Sequence, residues 1–168
     1  YSQTPITDDN FRSAISDCLS FDPVNGNCVE SEYGPMSDWD VSNVTNMALA
    51  FLDVTTVNAD IGDWNVSNVT KMNSMFSGAD SFNQDIGDWN VSNVTNMRRM
   101  FSDSSYDSSF NQDIGDWDVS NVTEMRYMFS GAISFNQPIG DWNVSNVNNM
   151  NNMFENATAF NQDIGNWD

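Results

Sequence analysis

The amino-acid sequence predicts an α/β repeat solenoid, and three observations carry that prediction. Six tryptophans, Trp39, Trp64, Trp89, Trp117, Trp142 and Trp167, are separated by 25, 25, 28, 25 and 25 residues. Self-similarity at a fixed period of about 20–50 residues signifies stacked equivalent units rather than a closed globule. Other residue types keep the same register: Val41, Val66, Val91, Val119 and Val144; Met47, Met72, Met97, Met125 and Met150; Phe51, Phe76, Phe101, Phe129 and Phe154. Within each unit the apolar spacing then switches from two residues to three and four, the signature of a strand followed by a helix.

Residues 1–36 precede the repeats and differ from them. Thr7, Asp8, Asp9 and Asn10, followed by Phe11, Ala14, Ile15, Cys18 and Leu19, predict an amphipathic helix with acids in its first turn. A solenoid needs its first coil covered, and this segment is the expected N-terminal helical cap. For its two cysteines, Cys18 and Cys28, a disulfide formed in an oxidising compartment is the favoured reading, with two buried free thiols as the alternative. In the chain-entropy account, closing so short a loop contributes about 2–3 kcal/mol. The solenoid itself is expected over residues 37–168, as roughly five to six repeats.

In the unit that begins at Ile86, Trp89 and Val91 lie two residues apart and face one side of a short strand, with Asp88, Asn90 and Ser92 on the other. Met72, Met75, Phe76 and Ala79 fall at i, i+3, i+4 and i+7, which predicts a helix of about two turns, N-capped by Thr70 and closed by Gly78. So short a helix does not persist alone. Its Met and Phe side chains are therefore assigned to core packing with sulfur–aromatic contacts. Phe82-Asn83-Gln84-Asp85 turns the chain into the next unit. Strand, turn, short helix and turn in 25 residues is the leucine-rich-repeat layout, a right-handed coil with a parallel sheet on the concave side and short helices on the convex side. Asn58, Asn83, Asn111, Asn136 and Asn161 form a further column. Their amides are expected to bond the backbone of adjacent coils as a structural ladder. Three extra residues interrupt the period in Ser102-Asp103-Ser104-Ser105-Tyr106-Asp107-Ser108-Ser109, read as a tolerated loop bulging from the edge.

The 168 residues are 39% apolar and carry 24 acids against 5 bases, a formal net charge of −19, with no histidine. Such a chain repels nucleic acid and anionic lipid and attracts polycations and divalent cations. No apolar run is long enough to insert in a membrane. Tyr1 in first place suggests a processed piece whose signal peptide is gone. Asp168 falls inside the motif, so further repeats or a cap are expected beyond it.

The recurring string Ile-Gly-Asp-Trp-Asn-Val-Ser-Asn-Val-Thr-x-Met-x-x-Met-Phe, followed by Phe-Asn-Gln, resembles the BspA-like leucine-rich repeats of bacterial and mycoplasma surface lipoproteins and of protist surface proteins, over about residues 37–168. The resemblance implies a secreted or cell-surface location, a role in adhesion or protein binding, and no catalytic residues. No lipid-attachment cysteine stands at the start, so membrane anchoring is not expected.

The candidate binding surface is the wet strand face. One ladder comprises Asp38, Asp63, Asp88, Asp116, Asp141 and Asn166; a second comprises Asp40, Asn65, Asn90, Asp118, Asn143 and Asp168; Ser42, Ser67, Ser92, Ser120 and Ser145 form a third. Rungs of a parallel sheet are about 4.8 Å apart, where neighbouring carboxylates in water repel by roughly 1 kcal/mol per pair. Calcium bridging through Asp88, Asp116 and Asp118 would offset that repulsion; a solvated acidic face screened by salt is the competing reading. No other cofactor is called for. Paired carboxylates also suit glycoside hydrolysis, but acids that recur in every coil single out no catalytic pair. Sequons at Asn43, Asn65, Asn68, Asn90, Asn93, Asn121, Asn143 and Asn156 are read as by-products of the repeat, with glycan attachment left open. Thr45, Thr70, Thr95 and Thr123 are read as helix caps rather than an ice-ordering array. The expectation is a non-catalytic extracellular binding or adhesion module that offers an acidic concave sheet to a protein or glycan. A structural spacer or fibre subunit stabilised by calcium is the alternative, and self-association is left open.

Overall fold

The computed structural model describes residues 4–167, so Tyr1 and Asp168, with the expectations that rest on them, lie outside the described residues. One α-helix, α1 (Phe11–Phe21), buries Phe11, Ala14, Ile15 and Cys18 at helical spacing, and a single 3-10 turn covers Met36–Asp38. The rest is well-ordered but irregular chain wound around a long ladder of buried aromatic rings.

The expected parallel sheet is replaced by a single column of one-residue parallel bridges, Asn46 to Lys71 to Asn96 to Glu124 to Asn149. The described residues do not form the expected convex helices either. Met72, Met75, Phe76 and Ala79 are buried as their spacing required, but the backbone beneath them is a run of overlapping turns. Met75, Ser77 and Ala79 donate three residues back, to Met72, Ser74 and Phe76. The alternate amides of Met72, Ser74, Phe76 and Gly78 donate instead to Asn96, Arg98, Met100 and Ser102 of the next coil, at 2.8–3.0 Å. A left-handed residue recurs in each run: Leu49, Ser74, Arg99, Tyr127 and Asn152 all have φ between 55° and 64°. Left-handed backbone costs a residue other than glycine about 1–2 kcal/mol; here the inter-coil bonds that it permits offset that cost. A chain that reverses every three to four residues returns side chains to one face at nearly helical spacing, which is why the two structures share a sequence pattern.

Side chains complete the stack. Each indole N–H of Trp89, Trp117, Trp142 and Trp167 donates to the carbonyl of the isoleucine one coil back, Ile61, Ile86, Ile114 and Ile139, at 3.1–3.2 Å. A buried donor without a partner would cost about 1–3 kcal/mol. The asparagine column forms the expected ladder: Asn83, Asn111, Asn136 and Asn161 donate their backbone N–H to the Oδ1 of the preceding column member. The adjoining Gln84, Gln112, Gln137 and Gln162 reach back to the same asparagines' carbonyls. The threonines are not helix caps. Thr70, Thr95 and Thr123 donate both N–H and hydroxyl to the threonine carbonyl one coil back. Phenylalanines stack in two files, Phe51-Phe76-Phe101-Phe129-Phe154 at 5.4–5.7 Å and Phe82-Phe110-Phe135-Phe160 at 6.0–6.1 Å.

Residues 4–36 cover the first coil by imitating one. Phe11 meets Trp64 edge-on at 5.7 Å, and Ile6, Ala14, Ile15 and Met36 join the same core. Asp8 and Asp9 fall before α1, not in its first turn. Asp8 instead accepts from the N–H groups of Thr45 and Asn46 (2.8 and 3.0 Å) and from the Thr45 hydroxyl (2.6 Å), taking the place of the threonine carbonyl that a preceding coil would supply. In the same way Val24 O receives the Asn58 N–H and Met36 O receives the Trp64 indole. Cys18 and Cys28 form a disulfide with Cα atoms 5.0 Å apart. Among the described residues no helix is long and apolar enough to cross a membrane.

Candidate functional site

The two acidic ladders separate in the structure. Asp40, Asn65, Asn90, Asp118 and Asn143 are exposed, but each turns an Oδ1 back onto the N–H two residues later, in Ser42, Ser67, Ser92, Ser120 and Ser145, at 3.0–3.2 Å. These are Asx turns, a local alternative to sheet pairing, and they explain the missing strand. The Ser42 and Ser120 hydroxyls, with their N–H groups, hold the Asp40 and Asp118 carboxyls below the ordinary value. Asp60, Asp85, Asp113 and Asp163 close similar turns onto Gly62, Gly87, Gly115 and Gly165. The glycines are required by close approach: a Cβ on Gly87 or Gly115 would sit 2.7 or 2.5 Å from the Asp113 or Pro138 carbonyl oxygen of the next coil.

Asp38, Asp63, Asp88, Asp116 and Asp141 form the other row, one carboxylate per coil, all exposed. Asp38 accepts a 3.2 Å bond from the Ser37 hydroxyl. Scaffold turns therefore consume the second ladder and leave this row facing solvent. Among the described residues no three His, Cys, Asp or Glu side chains come together to hold a metal ion, so Asp88, Asp116 and Asp118 are not gathered into a cation cluster. The sequon amides are engaged too: Asn68, Asn93 and Asn121 donate Nδ2 to the carbonyls of Ser42, Ser67 and Ser92 at 2.7–2.8 Å.

The insertion is built around one carboxylate. Asp103 is 5% exposed and accepts from the N–H groups of Ser105, Asp107 and Ser108 and from the Ser105 hydroxyl, at 2.6–2.8 Å. Burial alone would raise its pKa; these four bonds outweigh it and hold the carboxyl below the ordinary value. Neighbouring Asp80 is pushed up by burial and by the charges of Asp103, Asp107 and Asp53. Tyr106, 48% exposed, projects from the loop, with its hydroxyl 3.4 Å from Asn156 Nδ2.

Beside Tyr106 lies a groove of about 450 Å³, lined by Asp53, Arg99, Ser102, Tyr127 and Glu155 among others. The guanidinium carbons of Arg99 and Arg126 lie 5.0 and 4.8 Å from the centre of the Tyr127 ring. The sequence shows the insertion as a tolerated loop but not the groove beside it, because the constant columns do not include Arg99, Tyr127 or Glu155. The signal lay in the variable columns: Leu49, Ser74, Arg99, Tyr127 and Asn152 occupy one position and share no chemistry.

A family model described as "Mycoplasma protein of unknown function, DUF285" matches residues 20–107 and again residues 105–168. The two matches meet inside the insertion. No curated protein matches the chain, and no solved structure matches it.

Proposed function

The chain belongs to the DUF285 family, and from that premise we propose that it is a non-catalytic binding or adhesion module working at a cell surface or in secreted form. The observation that carries the reading is the row Asp38, Asp63, Asp88, Asp116 and Asp141, exposed while the neighbouring polar ladder is committed to local turns. One carboxylate per coil at a fixed spacing suits a cationic protein surface, and glycan hydroxyls are the second class that it would accept. The formal charge of −19 adds long-range attraction for such a partner. A non-catalytic role is supported by repetition, since the outward row of Asp38, Asp63, Asp88, Asp116 and Asp141 recurs from coil to coil and singles out no one coil. The extracellular placement is supported by the Cys18–Cys28 disulfide and by the likeness of the repeat string to BspA-like surface repeats. Kinship with leucine-rich repeats is supported by the repeat length and the columns, although turns replace sheet and helices.

The test is a triple variant, Asp88→Ala, Asp116→Ala and Asp141→Ala, scored for binding to a basic protein such as lysozyme and to immobilised host-matrix proteins at two salt concentrations. Wild type is expected to bind and to weaken with salt, and the variant to lose at least tenfold at unchanged melting temperature. Equal binding by a folded variant would refute the acidic row as the contact surface. The spacer reading is favoured by the density of inter-coil bonds. If calcium stiffens the stack, melting temperature will rise with calcium beyond what sodium chloride of equal ionic strength gives. Among the described residues no three acidic side chains converge to hold a cation, which predicts no such excess.

A further inference from the structure

We propose that the groove beside the insertion is a binding site for a neutral oligosaccharide, distinct from the acidic row and independent of it. The groove begins about half a coil further along the chain than the Asp row, from Asp88 to Phe101 and Ser102. Its volume of about 450 Å³ falls within the roughly 300–1,000 Å³ typical of small-molecule clefts.

The chemistry of the lining selects the ligand class. Tyr106 offers an exposed aromatic ring, the kind of flat apolar face that packs against the C–H face of a pyranose. Around it stand Asp53 and Glu155, which accept hydrogen bonds from hydroxyls, Arg99, which donates, and Ser102, which does both. Ser102 Oγ lies 2.9 Å from Ser77 Oγ of the adjacent coil, so hydroxyls of two coils meet in the groove lining. A dense mix of donors and acceptors beside one ring matches the alternating polar and apolar faces of a sugar. A purely apolar ligand would leave those groups unpaired, at about 1–3 kcal/mol each. An anionic ligand would meet one groove arginine against Asp53 and Glu155, on a chain of formal charge −19. Preorganisation is also present. Asp103 anchors the loop backbone through four hydrogen bonds, which lowers the ordering cost of binding to that of the Tyr106 side chain. The three-residue insertion occurs in one coil only, which gives the stack one such site rather than a row of them.

The experiment is isothermal titration of the whole chain with cellotetraose, maltotetraose, mannotetraose and chitotetraose, beside a heparin tetrasaccharide and a poly-glutamate peptide. At least one neutral tetrasaccharide is expected to bind. Its affinity should fall at least tenfold in Tyr106→Ala and in Arg99→Ala, be retained in Tyr106→Phe, and change less than twofold between 50 and 500 mM salt. The Asp88/Asp116/Asp141 triple alanine variant should bind the sugar as wild type does, which separates this site from the acidic row. The proposal is overturned if no neutral sugar binds, if binding survives Tyr106→Ala and Arg99→Ala in folded protein, or if the heparin fragment or the peptide binds more tightly than every neutral sugar.

Discussion

Replacing Gly115 by alanine tests the stacking directly. An added methyl carbon would sit 2.5 Å from the Pro138 carbonyl oxygen, whereas ordinary contact begins at 3.4 Å. The coils must therefore part locally by about 0.9 Å, the difference of those two distances. The indole of Trp142 bonds Ile114 O, beside this glycine, at 3.1 Å; the same displacement would carry that bond to about 4 Å, beyond hydrogen-bonding range. Overpacking costs about 1–3 kcal/mol and an orphaned buried donor about 1–3 kcal/mol. Because the two strains are alternatives as much as sums, a loss of about 2–4 kcal/mol is expected. For a chain of this size that is a fall of about 5–15 °C in melting temperature. Gly165→Ala is the internal control, since its nearest neighbour is the Asp163 carboxylate at 3.1 Å rather than a backbone carbonyl of another coil. It should cost no more than about 0.5 kcal/mol, as for ordinary surface changes. Thermal and urea melts followed by tryptophan fluorescence read both variants. Equal melting of Gly115→Ala and wild type, or equal losses in the two variants, would refute the close-approach argument.

Four further outcomes follow from the same structure. Asn83→Ala removes the acceptor for the Asn111 N–H and the Gln112 amide and should cost about 1–3 kcal/mol in urea melts, while Asn83→Asp, which keeps both acceptors, should cost less. Asp103 has a depressed pKa in the folded state, so its contribution is present above the ordinary value of 3.8 and lost as pH falls through the folded value; proteolysis at the insertion should accelerate in acid, and Asp103→Asn should show that susceptibility already at neutral pH. Asp80 has the opposite sign: its folded pKa is raised, so its stabilising share is fully present below 3.8 and is lost as pH rises through the higher folded value. Asp80→Asn should then melt higher than wild type at pH 7, with the advantage gone below about pH 3.8. Reduction of Cys18–Cys28 should lower stability by about 2–3 kcal/mol and expose the first coil, seen as faster exchange of the Trp39 and Trp64 indole protons than of Trp117.

Much of this architecture was legible in the residues. The period, the columns of Trp, Val, Met and Phe, the asparagine ladder and a leading amphipathic helix follow from spacing alone, because a stacked repeat converts sequence register into contact register. Local conformation was not legible to the same degree. Burial of Met72, Met75, Phe76 and Ala79 satisfies a helix and a chain of turns equally well. The choice between them lies in the left-handed residue, occupied by serine in that coil and by leucine, arginine, tyrosine or asparagine elsewhere, none of which announces a positive φ as glycine would. The strand was lost for a related reason. Asp40, Asn65, Asn90, Asp118 and Asn143 read as the polar side of a β-alternation, yet their short side chains satisfy the backbone two residues on and curl it into turns. As for the candidate surface, the Asp38 row is exposed, and the insertion reads in the sequence as a tolerated loop because nothing in its spacing shows that Asp53 and Glu155 of other coils line a groove with Arg99 beside Tyr106.

A crystal structure of the chain tests the central claim, that successive coils lie in register and bond directly to one another without helices between. The account predicts each indole nitrogen from Trp89 to Trp167 within hydrogen-bonding distance of the isoleucine carbonyl one coil back, with Ser74, Arg99 and Tyr127 at positive φ. A continuous helix through Met72–Ala79, or indoles that point to unrelated surfaces, would contradict it.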